Sequence, residues 1–483
     1  MTRSAGVFAQ LVIALATTGV ISGCMVGPKY KRPDVNPPGV YRGTLAPDIQ
    51  TATNSAAPST PLGAEKWANV FTDPVLQSLI SEALKNNFDA KIAADRVLEQ
   101  QAQVGVTRAG ELPTVSVGAT YDAIGLPSGL LNSLSGNGTQ STKTKYYAGG
   151  LTTSVAWNLD FWGYYRRQTE AARAYLRATQ WGRQTTYSTI VENVATSYFE
   201  LRALDAELII TRQALAARQD SLHLTQTLEQ GGSTSMVDVR QAEQLFYTAQ
   251  AQIPDLERQI EQQENNLSLL LGRSPGPIAR GQPVADAPHP EAIPVGLPSE
   301  LLERRPDIRR AEELLIQANA NIGVARAQFF PQLSLSGTAG TSSSQLKGLV
   351  ESSNFYYYAI ASATQPIFEG GKLRNNLRLA KADYQELLDT YQQTIAGALR
   401  DVSNALIAYN KTREFREQQA LLVASAADGL ALARMRYNAG STSYLEVLTS
   451  DTNLFTDQLT LQTAQQQQAL ALVQLYNALG GGW

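Results

Sequence analysis

The residue with the most specific chemistry in this sequence is Cys24, the single cysteine among 483 residues. It ends the string Ile21-Ser22-Gly23-Cys24, which has the pattern of a bacterial lipobox: an aliphatic residue and two small residues before a cysteine that is acylated. A lone cysteine cannot form an intrachain disulfide. We therefore expect a palmitate-type lipid on Cys24. The alternative is an ordinary signal peptide followed by a chance cysteine.

The first 23 residues have the features of a signal peptide. Arg3 is the only charge before position 29, and residues 7–21 form a mostly apolar stretch too short for a comfortable membrane span. Met25, rather than an aspartate, follows the cysteine, so retention at the inner membrane is not indicated. Because two or three acyl chains anchor a protein stably, we expect a lipoprotein on the periplasmic side of an outer membrane.

The composition argues against several other kinds of chemistry. With 40 basic and 43 acidic residues the net charge is −3, which gives no electrostatic case for nucleic acid. The two histidines, His223 and His289, have no cysteine, histidine or carboxylate nearby at metal-ligand spacing. The sequence contains no recognisable phosphate loop, nucleophile elbow or catalytic triad. We therefore expect no enzymatic activity, no metal and no cofactor.

The chain contains an internal repeat. The string Gly232-Ser233-Thr234-Ser235 recurs 208 residues later as Gly440-Ser441-Thr442-Ser443. Upstream, residues 104–109 before one proline are matched by residues 322–327 before another. A long unit used twice indicates one elongated structure of two similar halves. We expect the first repeat over residues 74–271 and the second over residues 307–483.

Proline-rich segments flank the repeats. Residues 24–73 hold many prolines and small polar residues, which predicts an extended, lipidated N-terminal arm without a core of its own. Residues 272–306 have the same character and predict a linker between the repeats.

The helical segments are unusually long. From residue 164 to about 229 the chain has no proline and one glycine, and residues 372–438 behave similarly. Apolar residues recur at intervals of seven, at Val194, Leu201, Leu208, Leu215 and Leu222, then at Leu388, Ile395, Val402 and Tyr409. Sustained sevens indicate coiled-coil packing. Returning helices are expected at about 236–271 and 444–479, after the glycine-containing turns.

Four segments alternate in polarity as membrane strands do. We expect strands at about 113–124 and 150–162 in the first repeat, and at about 331–342 and 355–368 in the second. One face of the first carries apolar residues, at Val115, Val117, Ala119 and Tyr121. A soluble sandwich is the alternative.

The strand count itself predicts assembly. Four strands cannot close a barrel, and an open edge is not tolerated in lipid. Two copies would supply eight strands and a filled interior, whereas three would supply twelve strands around a conducting lumen. We therefore expect an obligate oligomer that forms one continuous tube.

Five strings spread over the mature chain carry a family resemblance. They are Gly23-Cys24-Met25-Val26-Gly27-Pro28-Lys29-Tyr30, Trp157-Asn158-Leu159-Asp160-Phe161-Trp162-Gly163, Tyr198-Phe199-Glu200-Leu201-Arg202-Ala203-Leu204-Asp205, Arg304-Arg305-Pro306-Asp307-Ile308 and Pro366-Ile367-Phe368-Glu369-Gly370-Gly371. Together they resemble the TolC-type outer-membrane factors, specifically the lipoprotein branch that serves resistance–nodulation–division efflux pumps.

The resemblance implies an α+β membrane protein. Its fold would be a homotrimeric 12-stranded outer-membrane β-barrel, with four strands per protomer, continued by a long α-helical periplasmic tunnel. An equatorial belt would come from the N-terminal arm and the linker. The implied partners are outer-membrane lipid, a periplasmic adaptor protein and an inner-membrane transporter.

Three functions remain open at this point. The leading one is a passive exit duct for drugs or other small toxic compounds, driven by the inner-membrane transporter. An exit duct of a type I secretion or metal-efflux system is an alternative, although four methionines and two histidines form no cluster. A structural periplasmic coiled-coil lipoprotein is the non-transport alternative.

The resemblance also suggests where the channel contacts its adaptor and closes. The turns at Gly232, Ser233, Gly440 and Ser441 would mark the periplasmic mouth and contact the adaptor. Relatives close this mouth with a tyrosine just before the second turn, and Tyr437 occupies that position.

The rest of the family's lock is absent from the sequence. The family's aspartate and arginine, just after the second turn, are replaced by Thr449 and Thr452. Glu446 lies on nearly the same helix face as Thr449 and is the second candidate gate residue. Its expected partner is Arg434, Arg436 or Arg240. Asp451 should point elsewhere. Alternatively, Tyr437 is a packing residue and Glu446 a solvated charge.

Overall fold

The computed structural model describes residues 25–43, 61–126, 144–288, 290 and 293–482. The predicted signal peptide, Cys24 and His289 lie outside these residues. The principal helices are α1 Pro74–Asn86, α2 Phe88–Ala109, α3 Tyr164–Gln230, α4 Met236–Leu270, α5 Pro298–Arg304, α6 Pro306–Ala327, α7 Lys372–Asn438 and α8 Tyr444–Ala478. The strands are β1 Thr114–Leu126, β2 Thr144–Leu159, β3 Gln332–Ser343 and β4 Phe355–Thr364. None of these helices combines the length and apolar character needed to cross a membrane.

The four strands form one antiparallel sheet in the order β1-β2-β3-β4. β1 pairs along its whole length with β2, from Thr114 opposite Ala156 to Leu126 opposite Thr144. Within the described chain, β1 and β4 each have a neighbour on one side only. The apolar face predicted for β1 is exposed: Val115 is 66%, Val117 72% and Tyr121 70% accessible. Every residue of β4 is exposed as well.

Two of the predicted strands differ from the structure by more than two residues at one end or both. β2 begins at Thr144 rather than 150, because Gly149 and Gly150 lie within the strand and do not start it. It ends at Leu159 rather than 162, since Asp160 accepts a hydrogen bond from the Arg166 amide (2.9 Å). The chain there turns into α3.

β4 ends at Thr364 rather than 368. Pro366 has no amide proton for a ladder hydrogen bond, and its ring restricts the residue before it. Gln365 instead turns its side-chain amide back onto the carbonyl oxygen of Phe329 (3.0 Å). β1 and β3 each begin one residue later than predicted and end one or two residues later.

One compact unit contains the sheet; it comprises residues up to Arg32, Leu98–Arg177 and Glu313–Asp389. The segment that follows Cys24 is hydrogen-bonded into this unit. The Val26 amide donates to the Trp162 carbonyl (3.1 Å), and Arg167 Nε donates to the Val26 carbonyl (3.3 Å). Gly27 has φ +116°, and a Cβ there would lie 2.6 Å from Gly323 Cα. A side chain at position 27 would therefore break this docking.

The second unit consists of Pro33–Val97, Ala178–Glu312 and residues from Thr390 onward. Its core contains several of the residues that recur at intervals of seven in α3 and α7. Val194, Leu201 and Val402 are fully buried, and Ile395 and Tyr409 nearly so. The remaining members of both series are half-buried. The seven-residue spacing therefore marks the packed faces of these helices, as predicted.

A buried hydrogen-bond network joins the arm, α3 and the linker in this unit. The Tyr198 hydroxyl donates to Asp73 Oδ2 (2.6 Å) and accepts from the Gly281 amide (2.9 Å). Asp73 also accepts from the amides of Val75 and Gln282. Burial, followed by the contact with Asp73, raises the pKa of Tyr198, so the hydroxyl keeps its proton. The network is fully satisfied although the three segments are distant in sequence.

Replacement of Tyr198 by phenylalanine is expected to destabilise the fold, because it leaves Asp73 and the Gly281 amide short of a partner. The expected cost is about 1–3 kcal/mol, read as a lower midpoint of thermal unfolding. Tyr391→Phe is the matched control: Tyr391 is equally buried, but its hydroxyl has no hydrogen-bond partner in the described chain. Equal midpoint losses in the two variants would contradict this assignment.

Candidate gate at the two helix turns

The two helix-to-helix turns have the same construction. Gly232 and Gly440 have φ of +71° and +70°, which favours glycine at the end of a helix. The following serine amides close the same wide loop, from Ser233 to the Leu228 carbonyl (2.8 Å) and from Ser441 to the Arg436 carbonyl (2.9 Å). The repeat seen in sequence is therefore also a repeat in local structure.

The acidic residue after each turn accepts a hydrogen bond from the threonine of that turn in both repeats. Asp238 Oδ2 accepts from the Thr234 hydroxyl (2.5 Å), and Asp238 forms a capping box with Ser235. At the equivalent position in the second repeat, Glu446 accepts a hydrogen bond from the Thr442 hydroxyl. Glu446 is thus held at the start of α8 by the turn itself.

Of the three basic partners expected for Glu446, the structure pairs it with Arg436, at 2.7 Å. Both side chains are substantially exposed, at 57% for Arg436 and 37% for Glu446, so the pair is screened by solvent. Arg434 turns to Asp451 (3.4 Å), and Arg240 to Glu243 (2.6 Å).

Tyr437 lies against Tyr444, with ring centroids 5.5 Å apart in an edge-to-face arrangement. Its hydroxyl is buried and has no hydrogen-bond partner among the residues described. Burial raises the pKa of Tyr444, whose hydroxyl lies 3.2 Å from Ser221 Oγ. The two tyrosines therefore form an aromatic pair beside the second turn.

A small apolar cluster brings the turns to one end of the four helices. Its buried members come from α4, α7 and α8, and Leu222 of α3 packs against them. These members are Ala242, Leu430, Ala433, Tyr444 and Val447. The two helix pairs thus share a core just above their turns.

A buried ion pair lies beside this cluster, and it was not predicted from the sequence. Arg218 of α3 is 3% exposed and donates from Nε to Asp451 Oδ2 of α8 at 2.8 Å. Its Nη1 donates to the Leu245 carbonyl of α4 (3.2 Å), and its guanidinium lies 4.7 Å from the Phe455 ring centroid. With Arg434 of α7 on the other carboxylate oxygen, this ion pair connects all four helices.

The sequence does contain a signal for this ion pair. Thr211, Arg218 and Thr225 of α3 are spaced by seven residues, like the leucines, and all three are buried. A charged residue in a repeating buried position requires a partner on a facing helix. Asp451, which the sequence predicted to point away from the gate candidates, is that partner. No group of histidine, cysteine or acidic side chains in the described ranges could hold a metal ion.

Comparisons with known proteins agree over almost the whole chain. A family model described as Outer membrane efflux protein matches residues 79–273 and 297–481. The solvent efflux pump outer membrane protein SrpC of Pseudomonas putida is 36% identical over 465 residues, covering 96% of each chain. The cation efflux system protein CusC of Escherichia coli O6:H1 is 34% identical over 472 residues, 98% of this chain and 97% of that one.

Solved structures are also similar to this chain over nearly its whole length. A crystal structure of CusC covers 95% of this chain and 100% of its own, with a TM-score of 0.84 and 30% identity. The open state of the Neisseria gonorrhoeae MtrE outer membrane channel covers 95% and 98%, with a TM-score of 0.84 and 29% identity.

A four-stranded sheet combined with two long helical hairpins defines the class of outer-membrane efflux channels. The chain belongs to the outer membrane efflux protein family. It is the outer-membrane channel of an efflux system in a Gram-negative bacterium, and the predicted family, α+β fold class, function and location are confirmed.

Loss of the Arg218–Asp451 ion pair should lower the local stability of the helices near their turns. Asp451→Asn leaves the Arg218 guanidinium buried opposite a neutral side chain, at a cost of roughly 3–5 kcal/mol. We expect hydrogen exchange of backbone amides in residues 215–225 and 445–455 to accelerate by at least about tenfold. Glu243→Gln is the control, because the Arg240–Glu243 pair is exposed and contributes little. Unchanged exchange in Asp451→Asn would show that the apolar cluster alone holds the helices.

Proposed function

We propose that this channel is the passive exit duct of a tripartite pump for small, mostly apolar toxic compounds. The observation that carries the proposal is the end-to-end similarity, at 36% identity, to a protein named for solvent efflux. A second relative with the same identity and coverage is named for toluene efflux. In this proposal an inner-membrane transporter supplies the energy, a periplasmic adaptor connects the two membranes, and the chain itself performs no catalysis.

Export of metal cations is the second candidate function. CusC, named for cation efflux, is similar in sequence and in structure to nearly the same degree. The candidates differ in the pump that feeds the duct, because a channel of this class receives whatever its transporter delivers.

Deletion of the gene from its native cell separates the two candidates. We expect the deletion strain to become sensitive to toluene and to lipophilic antibiotics, because these compounds would lose their route out. Restoration by the full-length gene, and not by one lacking residues 225–240, is the control. Sensitivity to transition-metal salts alone would replace the first candidate with the second.

Assembly as a homotrimer is part of the proposal. The exposed apolar face of β1 and the unpaired edges of β1 and β4 support it, because they require neighbours. Three copies would supply twelve strands and a conducting lumen.

A lipid on Cys24 would add an anchor in the outer membrane. If the mature protein carries no palmitate label after metabolic labelling, this lipid anchor is excluded.

The turns are the proposed contact with the adaptor. Gly232, Ser233, Gly440 and Ser441 are all exposed. Apolar side chains next to them are also exposed, at 49% for Met236, 62% for Val237 and 56% for Leu445. Such residues at a helix end suit an apolar docking surface for a partner protein.

Tyr437 and Glu446 are proposed to help hold the mouth closed until the adaptor binds. The Tyr437 ring packs against Tyr444 of α8, and the Arg436–Glu446 pair ties α7 to α8 beside the second turn.

Planar-bilayer conductance tests this gate. Tyr437→Phe and Glu446→Ala are expected to conduct severalfold more than the parent, because the first removes a buried hydroxyl beside the Tyr437–Tyr444 contact and the second removes the ion pair with Arg436. Glu414→Ala is the control, since Glu414 forms a comparable exposed pair with Lys411 elsewhere on α7. If neither gate variant conducts more than the parent, other residues close the channel.

A further inference from the structure

A cavity of about 410 Å³ lies in the helical unit and has no role in the proposed duct. It is bounded by α3, α7, α8 and the junction between α5 and α6. Its polar lining comes from both repeats, and its charged residues are Glu192, Arg305, Asp307 and Asp401. The Arg-Pro-Asp string singled out in the sequence therefore forms one of its walls.

The guanidinium of Arg305 is already fully engaged. It donates to both carboxylate oxygens of Asp307, from Nε at 3.0 Å and from Nη2 at 2.6 Å. Nη1 donates to the Ala478 carbonyl (3.1 Å), and Nη2 lies 3.6 Å from Asp401. Asp401 also pairs with Arg400 at 2.7 Å. Arg305 and Arg400 thus offset Asp307 and Asp401, and Arg305 is the one cationic side chain among the described residues that line the cavity.

Glu192 is the carboxylate without a cation. Its Oε2 accepts from Asn477 Nδ2 at 2.5 Å, and no basic side chain forms an ion pair with it in the part of the chain described. Burial raises its pKa, against the smaller lowering effects of the Asn477 hydrogen bond and the charge of Arg305. When ionised, Glu192 brings the lining to three carboxylates and one arginine, a net charge of −2; Arg400, which pairs with Asp401 from outside the lining, reduces this excess to one.

A second polar group in the lining is also unsatisfied. Ser188 lies one helical turn before Glu192, is 6% exposed, and its hydroxyl has no hydrogen-bond partner among the described residues. A buried hydroxyl without a partner is uncommon, because it loses its hydration without compensation. The side chains of Ala405, Ala408 and Ala478 leave the rest of the cavity apolar.

We propose that this cavity binds a small organic cation through one ammonium group, with Glu192 as its counter-ion and Ser188 as a hydrogen-bond acceptor. One positive charge balances the excess of one negative charge, and the alanines accommodate a short alkyl chain. The volume exceeds that of a bare metal ion, and the lining lacks three grouped metal ligands in the described ranges. The site does not depend on which compound the duct exports.

The proposal has a defined pH dependence. The charged groups that face Glu192 are Arg305 and Asp307 at the α5–α6 junction and Asp401 on α7, whereas α8 contributes only uncharged side chains. Since the cation binds the ionised carboxylate, affinity should increase as pH rises through the raised pKa of Glu192 and then level off. Below that pKa the proton competes with the ligand.

Calorimetric titration of the assembled, detergent-solubilised channel with n-butylamine tests the site. The amine is cationic at pH 8, and 1-butanol is its neutral match. We expect saturable binding of one butylammonium per chain and none of butanol. Glu192→Gln should weaken binding by about tenfold or more, because a charge-assisted hydrogen bond is lost. It should also remove the pH dependence.

Two further variants keep the test decisive. Glu207→Gln is the matched control, because Glu207 is another half-buried carboxylate of α3 with a raised pKa that does not line the cavity. It should bind like the parent. Ala408→Leu fills the cavity without a change of charge and should abolish binding.

Absence of saturable heat in the parent, or equal binding of butanol, would overturn the proposal. So would unchanged binding in Glu192→Gln or in Ala408→Leu. Dissociation of the oligomer by Glu192→Gln, without amine binding by the parent, would instead assign the carboxylate to a contact between copies of the chain.

Discussion

The hydrogen-bonding requirement of the two edge strands is the constraint on which the rest of this molecule depends. β1 and β4 each leave one row of backbone amides and carbonyls unpaired in the described chain. In the hydrocarbon of a membrane each such group costs on the order of several kcal/mol, because water is absent. A single chain therefore cannot be the functional state. Each chain contributes four strands, two from each repeat, so the number of chains in the assembly decides whether the barrel closes.

The helices are held together by side-chain packing rather than by backbone hydrogen bonds between strands. Their packed faces are set by apolar residues at intervals of seven, which bury Leu201 and Val402 completely. Near the turns this pattern is interrupted by Arg218, whose charge is balanced by Asp451 and which also contacts the Leu245 carbonyl and the Phe455 ring. An apolar residue in place of Arg218 would need no charged partner on a facing helix. The ion pair thus links the two helix pairs near the turns, where the proposed gate lies.

Much of the architecture was predictable because its causes are local. Heptad spacing, Gly232 and Gly440, and the prolines that break helices act over a few residues, so the long helices agree with their predicted ends to within a residue or so. The start of β2 was not predictable in this way, because Gly149 and Gly150 resemble a strand boundary until β1 is seen to pair across them. The Arg218–Asp451 pair joins residues 233 positions apart, and the cavity at Glu192 needs segments from both repeats.

The mass of the purified, detergent-solubilised channel tests the central claim most directly. Light scattering corrected for bound detergent should give about 150 kDa of protein, three chains without their signal peptides, because twelve strands leave no open edge. A stable monomer of one third that mass, with its sheet intact, would contradict the account.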